Sequence, residues 1–303
     1  MITDLRVYIV VVSFLLAVSS LLIFNVGIII NSKLKQANIK KKEAKWKNIV
    51  FAQAAIATEK RYKTPKWSEK YKIKQIKKHQ RFLHRKLRKM DNLTIYTYIL
   101  QQLRGSNTRV YNEYIRVCHA TFQRLAIVYS NGVGVEASIK RACFANFVYN
   151  FPQVAGAKYS PLMDKLISYI DDKDAHCRIN ALRALCRVGN PHAVVNALRV
   201  INDKQYYVYN KLMTNLLSLY RGNKRVFGER LWNESEPWSD NLVVAVIRYI
   251  TRFCKSFVRT FWQSYINPLT GADVRTAISR YFGKHNINAS YLHSYTGEVK
   301  MIA

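Results

Sequence analysis

Glycine and proline are scarce, at 11 and 6 in 303 residues, which excludes collagen-like and linker-like chains. Cysteine is scarce and odd in number, with 5 residues scattered through apolar stretches of helical spacing, so no disulfide framework is expected. Motifs for chemistry are also missing. The 7 histidines form no HExxH and no pairing with cysteine at zinc spacing. Gly132-Val133-Gly134 precedes a helical pattern but lacks the strand and third glycine of a dinucleotide loop. Asp171-Asp172-Lys173-Asp174 has the form of a metal-binding DxD, yet it stands directly before a helical pattern, where an inter-helix turn and N-cap are expected. No catalytic, cofactor-binding or metal-ligating residue is assigned, and the chain is expected not to be an enzyme.

The largest shortage is negative charge, with 18 Asp+Glu against 49 Lys+Arg and a formal net charge of +31. The excess is uneven. Residues 33–90 hold 21 Lys/Arg against 3 Glu, a local balance of +18, and residues 91–303 hold 27 against 14, or +13. That second stretch is rich in Leu, Ile, Val, Tyr and Phe and long enough to bury a core.

What is present in excess is apolar length. From Val7 to Ile30 there are 24 residues without a charge, enough as a helix to cross a hydrocarbon core of roughly 30 Å. A signal peptide has a shorter apolar region, about 7–15 residues, followed by a small-x-small cleavage site. Here Ala17, Ser19 and Ser20 lie mid-run and Asn31-Ser32-Lys33 is no such site, so a membrane anchor over residues 1–32 is expected. Arg6 alone precedes the run, whereas Lys33, Lys35, Lys40, Lys41, Lys42, Lys45 and Lys47 follow it. Lys/Arg beside a span stay cytoplasmic, which predicts a single-pass plasma-membrane protein with its N-terminus outside. The sequons at Asn92, Asn233 and Asn288 then stay unglycosylated, and the cysteines stay reduced.

Residues 33–109 read as basic juxtamembrane helices. Residues 33–62 favour helix and continue the anchor. Lys40, Lys41, Lys42, Trp46 and Lys47 are expected to contact anionic lipids of the inner leaflet. From Ile73 an apolar seam follows, through Ile76, Leu83, Leu87 and Met90 and broken once at Gln80. Clustered Lys/Arg is also the footprint of nucleic-acid binders. Beside an anchor, however, topology and leaflet contact are the expected duties, and nucleic acid is the alternative.

The remainder is an internal repeat. Five triplets at i, i+4, i+8 are wholly apolar: Ile139/Cys143/Phe147, Cys177/Ala181/Leu185, Val208/Leu212/Leu216, Leu242/Val246/Ile250 and Val274/Ile278/Phe282. They recur at spacings of 38, 31, 34 and 32 residues. One face of a helix demands such a pattern, and a strand would not give it. Second helices lie between them, two of them opening as Ser160-Pro161 and Asn190-Pro191. Helix pairs at this period predict an all-α fold with an α-solenoid over residues 110–303.

Over about residues 110–303 the chain resembles the HEAT-repeat family, in its short bacterial form. The resemblance is most specific at Asp174–Gly222 and Asp273–Gly283, with Val274-Arg275 and Gly189-Asn190-Pro191 as its signatures. It implies a repeat ladder of Asp174, Arg178, Asp273 and Arg275, the arginines pairing with acidic side chains of neighbouring repeats. Tyr209 and Val243 occupy the arginine position in other units. HEAT proteins are usually scaffolds, and a minority are DNA-base glycosylases or bilin lyases. Single-span HEAT proteins look similar to the accessory proteins of processive family-2 glycosyltransferases that make exopolysaccharide. The resemblance therefore implies an integral-membrane glycosyltransferase as partner and no cofactor.

Two segments suggest docking. Lys204-Gln205-Tyr206-Tyr207 is expected in the loop before the second helix of its unit, and Trp232 to Trp238 is expected to be an irregular acidic insert replacing a helix. Tyr206, Tyr207, Trp232 and Trp238 are the candidate partner-binding residues. At the far end a new helix is expected near Asn288, and Val299–Ala303 reads as the start of another, so the native chain is expected to continue.

Overall fold

The computed structural model describes residues 2–58, 66–156, 159–254 and 257–287, without most side chains before Ile28 and those of 66–68. The helices expected after Asn288 lie outside the described residues. All regular structure within them is helical: α1 (Ile2–Thr58), α2 (Lys66–Lys86), α3 (Met90–Ser106), α4 (Thr108–Ser130), α5 (Val135–Asn150), α6 (Pro161–Ser168), α7 (Ala175–Val188), α8 (Pro191–Asp203), α9 (Asn210–Ser218), α10 (Lys224–Glu234), α11 (Asp240–Phe253), α12 (Val258–Ile266) and α13 (Ala272–Lys284).

Local chemistry sets the helix ends. Asp174 Oδ1 accepts hydrogen bonds from the amides of His176 (2.6 Å) and Cys177 (3.3 Å), capping α7. The Asp171–Asp174 run is thus the turn and cap that its position predicts. Asn190 Oδ1 accepts from the Ala193 amide (3.1 Å) with Pro191 in the first turn of α8. Ser160 precedes Pro161 in the same way, but its hydroxyl donates to the Ala155 carbonyl and caps nothing. Between α7 and α8, Gly189 sits at φ +81°, where a Cβ would also stand 2.9 Å from the Gly222 nitrogen. Only glycine meets both demands.

Packing arranges the helices in two layers. Each odd-numbered helix contacts the next, from α1 through α13, and each even-numbered helix contacts the next from α2 through α10. Helices adjacent in sequence contact each other between the layers, as in α1–α2, α3–α4, α6–α7 and α10–α11. Eleven of the fifteen triplet residues are buried, so the repeat frame finds the inner face in most units. It slips at Ile139 and Cys143, because α5 instead turns Phe144, Phe147 and Val148 inward. Val208 precedes α9, and Leu212 lies on its open side.

The core runs without a break across residue 110. Trp46 is buried, at 7% exposure, against Phe82 of α2 and Tyr96 of α3. Val50 and Ala54 follow it inward. The expectation that Trp46 contacts lipid is therefore corrected: an indole on this face of α1 removes more apolar area from water inside the stack. The seam of α2 also packs here. Leu83 and Leu87 are fully buried, and the break at Gln80 is satisfied by donation to the Val117 carbonyl at 2.7 Å.

The seam conceals a buried histidine. His79 Nε2 lies 2.8 Å from the Tyr114 hydroxyl, which also accepts from Tyr96 Oη at 3.1 Å. Burial pushes the imidazole down to about 4. Because its folded pKa lies below the ordinary 6.5, the unfolded chain binds the extra proton between these values. The contribution of His79 is present above about pH 6.5 and is lost as pH falls toward 4. Thermal melts of the full chain should fall between about pH 7 and 5, and His79→Gln should flatten that slope. Equal pH dependence in both proteins would contradict the assignment.

Candidate interaction edge

Side-chain contacts show that the odd helices run parallel. Ser138 and Arg141, early in α5, bond Asp172 just before α7, while Tyr149 at the end of α5 lies under Arg183 and Arg187 late in α7. Tyr206, before α9, donates to Asp171 at 3.0 Å. Asn241, early in α11, donates to the Val208 carbonyl at 2.8 Å. A Cβ at Gly271, before α13, would collide with the Asp240 carboxylate. Tyr129, at the end of α4, donates to the Leu87 carbonyl before α3 at 2.7 Å, so the turns that enter α3 to α13 lie along one edge.

The first half of α1 leaves the stack at this edge. Trp46 is level with Phe82, close to the end of α2, so the helix heads N-terminally past the α2–α3 turn. Every residue from Ile28 to Lys42 is exposed, and Glu43 is the first that is even half-buried. Ile28, Ile29 and Ile30 are successive, so they point in different directions round the helix, and each is more than half exposed. Among the described residues no helix is long and apolar enough to cross a membrane. The apolar run Val7–Ile30 is helical in its backbone, but most of its side chains fall outside the described ones.

The same edge carries carboxylates, with Glu136 paired to Lys140 and Asp171 to Lys204, and is tipped with apolar side chains. Asp91, Glu136, Asp240 and Asp273 occupy first turns of odd helices, and Asp174 caps α7. Carboxylates there meet the positive ends of the helix dipoles. Arg85 and Lys86, closing α2, make its first turn basic. Between the acids stand Val133 at 96% exposure, Leu269 at 91% and Tyr207 at 77%, with Val135, Tyr209 and Ile266 also exposed. Tyr207, Val208, Tyr209 and Leu212 line one side of an apolar cleft whose other side is Ala175, Ile179 and Leu182 of α7.

Asp172 fixes this geometry. Its side chain is 1% exposed and takes hydrogen bonds from Ser138 Oγ (2.7 Å), Arg141 Nε (2.5 Å) and the Asp174 amide (2.8 Å). Burial raises its pKa, but the donors outweigh burial and leave the carboxyl below its ordinary value. Arg141 also donates to the Gly132 carbonyl at 3.1 Å, so one ion pair binds the turn before α5 to the turn before α7.

The residues expected to matter lie mostly on this edge, in altered roles. Asp174 is a cap. Arg178 donates to the Asp172 and Lys173 carbonyls and lies 4.2 Å over the Tyr206 ring. It ties neighbouring units through backbone and ring, and no carboxylate pairs with it among the described residues. Asp273 and Arg275 are exposed and make no ion pair among those residues. The implied ladder is replaced by Arg141–Asp172, which the repeat frame missed because Arg141 lies off its register. Lys204–Val208 joins α8 to α9, so it enters the next pair and not the second helix of its own. Tyr206 is half-buried by Arg178 and Asp171, and Tyr207 is free. Trp232 lies within helix α10, edge-to-face on Phe261 at 4.9 Å, and Trp238 is buried at 6%. The acidic insert thus shrinks to a turn, and Trp238 is withdrawn as a docking residue. Lys40, Lys41 and Lys42 stand on the bare part of α1, and Lys47 lies 5.7 Å over Phe51.

Removing one partner of a buried ion pair leaves the other uncompensated, so Asp172→Ala should cost about 3 kcal/mol in unfolding free energy. Asp174→Ala removes only a cap and should cost about 1 kcal/mol. Chemical denaturation of the full chain measures both, and equal losses would show that Asp172 is no more than a turn residue. Tyr207→Ser and Leu269→Ser should change stability by less than about 0.5 kcal/mol, since neither side chain is buried.

Comparison with protein-family models, with curated proteins and with solved structures finds no match at a significant level.

Proposed function

We propose that this chain is a membrane-anchored HEAT-type α-solenoid, non-catalytic, that holds and positions an integral-membrane partner from the cytoplasmic side. The partner implied by the resemblance is a processive family-2 glycosyltransferase of exopolysaccharide synthesis. The observation that carries the reading is the shared edge: the apolar half of α1 leaves the stack where Val133, Tyr207 and Leu269 stand exposed. A bare helix, apolar on successive faces, matches a segment whose solvent is lipid or other transmembrane helices.

The heights are consistent with a protein partner and not with lipid at the edge. Twelve exposed residues, 31–42, separate Ile30 from the stack, or about 18 Å of helix. The headgroup zone is only about 5–7 Å deep per leaflet. Lys33 and Lys35 reach that zone, Lys40 to Lys42 stand beyond it, and the apolar tips do not enter the bilayer. An edge with carboxylates in the first turns of its helices gains nothing from anionic lipid. It suits the Lys/Arg-rich cytoplasmic loops that membrane proteins carry beside their spans. Exposed Tyr and Leu inside such an edge supply the apolar anchors an interface needs.

Purification of the tagged full chain from mild-detergent membranes should recover a stoichiometric family-2 glycosyltransferase, identified by mass spectrometry. A Tyr207→Ser/Tyr209→Ser/Leu269→Ser chain should lose it while remaining in the membrane fraction. A monomer with no membrane partner would overturn the reading, and a partner retained undiminished by the triple variant would move the interface elsewhere.

A further inference from the structure

The opposite edge of the stack, where odd helices end and even helices begin, carries a row of cations, interrupted by Glu69 in the first turn of α2 and Asp164 in that of α6. Arg104, in the last turn of α3, donates to the Asn150 carbonyl at the end of α5 (3.3 Å). Arg187 lies over the Tyr149 ring, and the Arg221 amide donates to Cys186 at the end of α7 (3.2 Å). Arg252 donates to Ser218 at the end of α9 (3.4 Å), and Lys284 donates to the Thr251 carbonyl of α11 (3.1 Å). These contacts trace one line across six parallel helices, about 50 Å at the usual interaxial spacing. Among the described residues none of Arg104, Arg187, Arg221, Lys224, Arg252 and Lys284 pairs with a carboxylate. Burial lowers the Arg187 pKa, and the neighbouring charges of Arg221 and Arg104 lower it further.

Helix electrostatics accounts for only part of this edge. Cations at the ends of odd helices complement the dipole, but the even helices begin here, and their positive ends call for acids. Neither α4 nor α10 has an acid in its first turn. They open instead with Thr108-Arg109 and Lys224-Arg225, of which only Arg225 meets a carboxylate, that of Glu229. Helix stability therefore opposes the charge found there.

The chemistry narrows the ligand. On the reading that Val7–Ile30 spans the membrane, this edge stands about 40 Å from the hydrocarbon core, adding a 14-residue helix to the bare stem. That is several Debye lengths, so lipid charge is not felt. Its exposed apolar side chains, Tyr159 and Val226, stand singly, without the anchor cluster of a protein interface. The guanidinium of Arg104 lies on Phe151, Arg183 and Arg187 lie on Tyr149, and Lys224 lies on Phe253. Such stacking holds the heads outward, and the covered rings are closed to base stacking. We infer that this edge is a strip for the phosphodiester backbone of nucleic acid, binding without sequence preference.

The test uses the full chain in zwitterionic nanodiscs and a labelled duplex of about 20 base pairs, followed by fluorescence anisotropy. Arg187→Gln/Arg221→Gln/Arg252→Gln should weaken binding roughly tenfold at about 0.15 M salt and flatten the log–log salt slope by about 2.7, with its thermal melt unchanged. Duplexes of unrelated sequence should bind alike. Lys40→Gln/Lys41→Gln/Lys42→Gln, equal in charge removed, should lose much less. Equal losses in the two variants would overturn the proposal and reduce the binding to net charge. Displacement of the duplex by polyglutamate at matched charge would overturn it in favour of an acidic protein, and edge-dependent capture of anionic vesicles in favour of lipid.

Discussion

No helix of this chain can bury its apolar stripe alone, and the way the stripes are covered governs everything else. Each odd helix lies parallel to the one before, with an even helix closing the other side. Parallel alignment makes local preferences add. A carboxylate at the start of one helix and a cation at its end are worth a fraction of a kcal/mol each. Repeated along a parallel row, they give the molecule one edge that carries carboxylates and one that carries a row of cations. Antiparallel neighbours would cancel the pattern if the even helices followed the same rule. They do so only at α2, which opens near Glu69 and closes with Arg85 and Lys86, and at α6, with Asp164 in its first turn.

The Arg141–Asp172 pair shows how a single interaction serves such a row. Burying a carboxylate is costly unless charge and hydrogen bonds compensate it. Asp172 has Arg141, Ser138 and a backbone amide, so its charge is retained inside. Through the same arginine the pair holds the turn before α5 against the turn before α7. The position of the neighbouring Tyr206–Asp171 contact, and of the cleft beside Tyr207, follows from that join.

The charge of +31 looks different once the edges are known. Part of it lies on the bare stem of α1, beside the apolar run. Another part lies on α2, where the helix ends by joining the stack. A further part forms the row on the edge farthest from the stem, where helix dipoles account for the cations that end odd helices and not for those that open α4 and α10.

Much was legible without coordinates. Apolar residues at i, i+4, i+8 mark helices whatever surrounds them, and the period of 31–38 residues marks paired helices. Asp174, Asn190 and Gly189 act within a few residues of themselves, so their roles as cap, cap and left-handed terminus could be read from spacing. The continuous helix α1 was equally local. Trp46 could not be read, because an indole among lysines suits both a headgroup zone and a core, and only the approach of Phe82 and Tyr96 decides between them. His79 and Asp172 were hidden for the same reason, since burial of a polar side chain depends on partners 35 and 31 residues away. The sequence by itself determined that the chain is helical and which face most of the repeat helices turn inward, α5 and α9 being the exceptions. The tertiary structure alone decided which helix ends share an edge, because that depends on parallel stacking, a relation no local pattern carries.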